Sequence, residues 1–267
     1  GIAKESLLSS VLVGISKPNG GVRPIAVGEV FYKLAALYAM KSVKKDLHLI
    51  LGKEQFALLP GGAESALHCL RIAAQEHPGW SIMGCDVKNA FNTRNRADIL
   101  QCLFGEERLK TLWRLAHWAY GTPSKLLVVD RGDIVDSFES TQGVRQGDAL
   151  SSLLFALSMR DIYRDTAETS GCRAIAVQDD IYYLGVPFSV AKAWDLMNIQ
   201  VAKQTGLELN KEKTSVLISE ESDAAYFTTR GLTPSTTFIP ALGSIITRDG
   251  SLLSRWLVSR LKTTHQK

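Results

Sequence analysis

The stretch 173–186, RAIAVQDDIYYLGV, constrains the fold more than any other part of this chain. Two nearly continuous apolar runs, AIAV and IYYL, flank the pair Asp179-Asp180. Runs of this length around a turn signal read as the two strands of a tight hairpin. Strands without polar alternation belong in a sheet covered on both faces. The tip acids are therefore expected beside a core. A third acid, Asp86, ends the predicted strand WSIMGCDV, whose preceding residues are small and apolar. Asp suits turns, so solvated turn acids are one reading. Clustered carboxylates beside a core, however, repel one another and lose hydration unless a cation neutralises them. Hard oxygen donors suit Mg²⁺, and three such acids are the donor set for two ions about 3.5–4 Å apart in phosphoryl transfer.

The rest of the chain predicts alternating hairpins and helices. Residues 9–30 form a hairpin turning at Pro18-Asn19-Gly20-Gly21, followed by a helix at about 29–46 with Phe31, Leu34, Ala35 and Tyr38 on one stripe. A helix spans 62–76, and another, rich in aromatics, spans 106–120, with Trp113 and Trp118 read as core. A second hairpin turns at Arg131-Gly132, which makes Arg131-Gly132-Asp133 a turn and not an adhesion motif. Long helices follow at about 148–169 and 189–205, and a last hairpin lies in FIPALGSIITRDG. Alternation along the 173–186 hairpin turns one of Tyr182 and Tyr183 to the core and the other outward. Without a repeated βαβ unit the class is α+β. No Pro-, Gly- or Ser-rich linker separates domains, so any subdomains are interwoven.

Composition removes several alternatives. With 45% hydrophobic and 22% charged residues in 267, the chain has material for a core and is neither disordered nor collagen-like. The cysteines Cys69, Cys85, Cys102 and Cys172 make no C-x-x-C pair and read as small core residues in a reducing compartment. The five histidines show no zinc-ligand spacing. No apolar run approaches the roughly 18 residues of a membrane helix, and the N-terminal residues lack the apolar stretch of a signal peptide. Net charge is +4, split into a basic first 80 residues, an acidic 81–200 and a basic remainder. Such a pattern suits ends that grip phosphates and a centre that holds cations.

Further segments carry chemistry. Phe91 lies five residues after Asp86 in DVKNAF. The segment TQGVRQGD, residues 141–148, brings two Gln-Gly pairs to a helix start, where backbone can approach a ligand and anions are favoured. Lys17 and Arg23 bracket the first hairpin turn, and GLELNKEKT, residues 206–214, follows a helix with two lysines.

Order and spacing together resemble the reverse transcriptase domain (fingers and palm) of a non-LTR retrotransposon, and more distantly the group II intron and telomerase enzymes. KPNGGVRPI at 17–25 resembles the fingers motif, and QFALLPGGAESALHCLR the template-side fingers segment. Asp86 to Phe91 resembles the first palm motif, QGVRQGDALSS the Gln-Gly motif, and Asp179-Asp180 the paired aspartates. Gly206 to Thr214 resembles the lysine-bearing motif and Ala241-Leu242-Gly243 the start of the primer grip.

The resemblance implies a right-hand polymerase with an antiparallel palm sheet backed by helices. Fingers would occupy 1–80 and palm 81–240, with a fingers-side insertion at about 104–140. Primer grip and the start of a thumb would occupy 241–267, the thumb being absent or rudimentary. It implies RNA-templated DNA synthesis, with Asp86, Asp179 and Asp180 holding two Mg²⁺ ions (Mn²⁺ able to substitute) and Lys213 as general acid. The dNTP would meet Lys17, Arg23, Val87, Phe91, Gln146 and Gly147, with Phe91 excluding a ribose 2′-hydroxyl and so arguing against an RNA-synthesising relative. Lys33, Gly61, Gly62, Arg145, Leu242 and Gly243 would contact nucleic acid. The implied partners are an RNA template, a DNA primer and the remaining domains of a longer polyprotein, without a membrane; the implied location is the nucleus. Val177 and Gln178 depart from the family where an aromatic usually precedes the aspartates, and Ala149 and Ser152 replace its prolines. The alternative is a degenerate or domesticated domain that binds RNA or protein without catalysis.

Overall fold

The computed structural model describes residues 2–16 and 20–265. Lys17 and the first two residues of the expected turn, Pro18 and Asn19, lie outside the described residues. In chain order the strands are β1 (Ser10–Ser16), β2 (Val22–Gly28), β3 (Ser81–Cys85), β4 (Ser124–Asp130), β5 (Asp133–Ser140) and β6 (Arg173–Val177). They continue with β7 (Asp180–Gly185), β8 (Ser215–Leu217), β9 (Pro234–Ser235), β10 (Phe238–Ala241) and β11 (Ser244–Thr247). The chain divides into two compact units. One comprises residues 1–53, 89–161 and 205–207, and the other 54–88, 162–204 and 208–267.

The first unit holds a four-stranded sheet in the order β2-β1-β4-β5. Two antiparallel hairpins form it, and they join through a short parallel pairing of Ser10 with Leu126 and Val11 with Leu127. The helix Val30–Val43 is capped by Glu29, whose carboxylate accepts from Phe31 N at 2.7 Å. Its apolar stripe points the opposite way from the usual reading. Phe31, Leu34 and Tyr38 are exposed, and Tyr32, Ala36 and Val43 are buried. Periodicity marks an apolar stripe without saying what lies against it, so it picked the wrong face. The helix Arg96–Phe104, absent from the expectations above, is capped by Asn95 and buries Ile99, Leu100 and Leu103. Trp113 and Trp118 are half-buried, and the Trp113 indole donates to Leu103 O at 2.7 Å, as core residues do.

The second unit holds a five-stranded sheet in the order β6-β7-β3-β8-β9. It is antiparallel except for the two-residue pairing of β8 with β9. One face packs Ile82, Ile175, Tyr182, Leu184 and Leu217 against Ala66, Leu70, Ala73 and Ala74 of the helix Gly62–Glu76. Ile239, Ala241 and Ile246 of the β10–β11 hairpin close the same cluster. On the other face Tyr183 donates to Met197 Sδ at 3.4 Å, from the helix Pro187–Thr205. Both tyrosines are thus buried, against the expectation that one faces outward: alternation puts them on opposite faces, but both faces are covered. Gly84 is required here, because a Cβ at that position would lie 2.9 Å from the Tyr182 ring. Among the described residues no helix is long and apolar enough to cross a membrane.

Candidate active site

Strand pairing alone assembles the acids. Cys85 pairs with Ile181 across β3 and β7, so Asp86 and Asp180 lie at adjacent strand ends. Val177 pairs with Asp180, leaving Gln178-Asp179 as the two-residue turn between β6 and β7. Desolvation, and then the Asp179 and Asp86 carboxylates, push the Asp180 carboxyl up to about 6. Behind them burial and Asp179 raise the phenol of Tyr163, whose hydroxyl is buried without a hydrogen bond.

The segment after the acids is laced to Asp86. Asn210 N donates to Asp86 O at 2.8 Å, and Lys88 N donates to Glu208 O at 2.9 Å. Thr214 returns both its N–H and its hydroxyl to Asn210 O. This short ladder delivers Lys213, whose exposed Nζ stands 3.5 Å from Asp86 Oδ2. A cavity of about 550 Å³ opens from the acids, lined by Asp86, Asp180, Lys213, Leu242, Gly243 and Trp256 among others. Leu242 and Gly243 form the β10–β11 turn, both at positive φ (47° and 75°). Arg71 secures that hairpin, donating to Ser244 Oγ at 2.6 Å.

The first unit fixes the Gln-Gly loop by backbone contacts. Gly143 N donates to Arg94 O and Val144 N to Phe91 O, both at 2.8 Å. Ala26 N of β2 donates to Gln146 O at 2.7 Å. Gly147, at φ 105°, has no room for a Cβ, which would sit 2.8 Å from Ala26 O. Phe91 stacks on Phe155 with ring centroids 4.3 Å apart. Gln146, Phe91 and the strand bearing exposed Arg23 are thus tied into one body.

Three of the expected contacts need correction. Arg145 is 4% exposed and spent internally: its guanidinium donates to Leu8 O, Ser124 Oγ and Asp148 Oδ2, so it offers nothing to a nucleic acid. Gly62 is buried, and a Cβ there would collide with the Phe56 carbonyl; its role is close packing, while Gly61 stays exposed at φ 62°. The Val87 side chain is buried, so only its backbone can meet a nucleotide. Lys33 is exposed on the helix Val30–Val43. Residue-type reasoning missed Gln55, Trp256 and Arg260. Trp256 and Arg260 line the same cavity as the acids, the guanidinium 5.3 Å from the indole centroid, and their i, i+4 spacing on a helix was the available signal.

Among the described residues no group of three or more His, Cys, Asp or Glu side chains is placed to hold a metal ion. Burial first, and then the charges of Asp179 and Asp86, lift the Asp180 carboxyl, and a cation relieves the charge part of that cost. Carboxylates are hard oxygen donors, the type a divalent cation takes.

An α+β fold of largely antiparallel sheets backed by helices is the fold of the fingers and palm of right-hand nucleic-acid polymerases. The chain belongs to the reverse transcriptase (RNA-dependent DNA polymerase) family, whose model matches residues 15–243. It is 29% identical over 212 residues to the retrotransposable element SLACS 132 kDa protein of Trypanosoma brucei gambiense, a match covering 79% of this chain and 18% of that protein. Apo telomerase from Candida tropicalis shares the fold with a TM-score of 0.64 at 15% identity, over 92% of this chain and 48% of the other. The RNA-dependent RNA polymerase of a human picobirnavirus does so with a TM-score of 0.57 at 13% identity, over 90% and 44%. The chain therefore spans less than a fifth of its retrotransposon relative and about half of these solved chains. The α+β fingers-and-palm fold and the retrotransposon and telomerase resemblance expected from the motifs are both borne out.

Proposed function

We propose that this chain extends a DNA primer on an RNA template with dNTPs. What supports the reading is that Asp86 and Asp180 lie at adjacent strand ends, with Asp179 in the turn just before Asp180 and Lys213 Nζ 3.5 Å from Asp86 Oδ2. In this reading the carboxylates hold two divalent cations, Mg²⁺ or Mn²⁺. When bound, the cations supply Lewis-acid activation of the primer hydroxyl and of the departing pyrophosphate. The chain's own residues do the rest. Lys213 stands at the acids to bring a proton to the leaving group, a general-acid role. Phe91, braced by Phe155, closes the side of the sugar pocket where a 2′-hydroxyl would fall. Gln146 and Gly147 present backbone and amide to the incoming nucleotide, and Lys17 and Arg23 meet its phosphates. Leu242 and Gly243 place the primer end at the cavity mouth. Fingers at 1–80, palm at 81–240 with an insertion at about 104–140, and primer grip from 241 remain the reading of the chain; the rest of a longer protein supplies further template and primer contacts.

Primer extension on an RNA template with dNTPs and Mg²⁺ or Mn²⁺ tests this. Extension that disappears in Asp179→Asn supports it. A folded protein that binds RNA yet never extends, alone or within its full-length chain, supports the binding module instead.

A further inference from the structure

We propose that Gln55 is a positioning residue for the turn that carries the catalytic aspartates, an inference that rests on reading those acids as cation holders. The hairpin between β6 and β7 turns on two residues, Gln178 and Asp179. Gln178 has φ 63°, a conformation that normally selects glycine at the first position of such a turn. Its own side chain does not compensate, since its Oε1 is buried without a hydrogen bond. The compensation comes from more than a hundred residues upstream. Gln55, 2% exposed, accepts from Gln178 N at 3.0 Å through Oε1, and its Nε2 faces Gln178 O at 3.4 Å. One amide thus grips both backbone groups of the strained residue.

Gln55 is itself held from two sides. Its Oε1 also accepts from Ala57 N at 3.1 Å. Its neighbours pair with the outer edge of β6: Phe56 N donates to Ala176 O, and Ala176 N donates to Glu54 O, both at 2.7 Å. The segment 54–56 therefore continues the sheet past β6 and carries a side-chain clamp to the turn. The grip uses only backbone atoms of Gln178, so it does not depend on which side chain stands there. Its effect is to hold the peptide leading into Asp179 in one orientation, and with it the spacing of Asp179 and Asp180 from Asp86. An amide is suited to the task because it offers a donor and an acceptor on one rigid plane without adding charge beside three carboxylates.

The test uses Gln55→Met, which keeps length and bulk and removes both hydrogen bonds, and Gln178→Gly, which removes the strain the clamp opposes. Three readings are made: amide hydrogen exchange across 176–181 without metal, Mn²⁺ affinity by electron paramagnetic resonance, and the Mg²⁺ dependence of primer extension. Gln55→Met is expected to speed exchange at Gln178 and weaken Mn²⁺ binding roughly fivefold, the worth of about one net hydrogen bond. It should raise the Mg²⁺ concentration for half-maximal extension more than it lowers the saturated rate. Adding Gln178→Gly is expected to restore most of the Mn²⁺ affinity, which a packing role for Gln55 would not allow. Should Gln55→Met alone fail to fold, the double variant is expected to fold, and its failure overturns the proposal. A folded Gln55→Met with unchanged exchange and unchanged Mn²⁺ affinity also overturns it. Wild-type protein that binds no Mn²⁺ would overturn the cation reading, and with it the consequence for catalysis, while the exchange measurement still decides whether the clamp holds the turn.

Discussion

Arg145 and Asp148 form an ion pair, Nη2 to Oδ2 at 2.8 Å, with both side chains only 3% exposed. Tyr32 donates to the same carboxylate at 2.9 Å, and the Arg145 guanidinium lies over the rings of Tyr120 and Tyr32. Three residues apart, the pair brackets Gln146 and Gly147. Removing one partner leaves the other charge buried and alone, which costs about 3–5 kcal/mol. Asp148→Ala should lower unfolding free energy by about that amount, read by equilibrium urea denaturation. A loss below about 1 kcal/mol, the worth of a surface pair, would contradict this burial.

Adjacent glycines at the start of the helix Gly62–Glu76 should respond unequally to the same change. Gly61→Ala meets open space and costs only the left-handed backbone penalty, about 1–2 kcal/mol. Gly62→Ala drives a methyl into the Phe56 carbonyl and must displace backbone. Thermal denaturation is expected to show a small shift for Gly61→Ala and a much larger one, or no folded protein, for Gly62→Ala.

Divalent cation should stabilise the protein before any nucleotide is present. Burial of Asp180, and then the charges of Asp179 and Asp86 beside it, disfavours its charged form in the folded protein, and a bound cation at a hundred times its dissociation constant would add about 2.7 kcal/mol. Melting temperature should therefore rise with Mg²⁺, and the increment should shrink in Asp179→Asn. Equal increments in the two proteins would place the cation elsewhere.

Sugar selection gives a test on substrate. Phe91→Ala empties the ring braced by Phe155 and should raise ribonucleotide incorporation relative to deoxyribonucleotide by roughly 10–200-fold, the usual span for a shape-based pocket. The ratio of kcat/KM for the two nucleotides is the readout, and an unchanged ratio would remove Phe91 from the selection.

Lys213→Met keeps bulk and removes the proton. A general acid is worth about 10²–10⁴-fold, so single-turnover incorporation should fall within that range while nucleotide affinity changes little. Loss of affinity alone would make Lys213 a phosphate contact instead.

The sequence disclosed local pairings better than distant ones. The hairpin at 131–132 and the helix Gly62–Glu76 follow from turn residues and apolar period, signals carried within a dozen residues; the acid hairpin was expected to turn at Asp179-Asp180 and turns one residue earlier, at Gln178-Asp179, with Asp180 opening β7. That Asp86 and Asp180 lie near each other was legible, because Asp86 ends a predicted strand and the Asp179-Asp180 pair sits at a predicted hairpin. Arg145 was misassigned because a charge in a glycine-rich loop reads as solvent-facing; only the fold supplies Leu8, Ser124 and Asp148 around it. The stripe Phe31, Leu34, Tyr38 was misread because periodicity marks a face without saying what lies against it. The helix Arg96–Phe104 was legible and overlooked, since Asn95 caps it and Ile99, Leu100 and Leu103 keep helical spacing. Gln55 had no local signal at all, its partner being 123 residues away.

β3 is the middle strand of its sheet, and both its neighbours come from far downstream: Cys85 pairs with Ile181, and Gly84 with Ser215. Likewise β1 finds β4 through two pairs, Ser10 with Leu126 and Val11 with Leu127. A ribosome must therefore release most of this chain before either sheet can close. Until then β3, with its apolar SIMGC, is unsheltered in the nascent protein. Such topologies fold slowly, because loop closure is paid before contacts reward it. Fragments cut anywhere between residues 90 and 210 should lack a stable sheet of the second unit, and synthesis itself is the period when this protein depends most on chaperones.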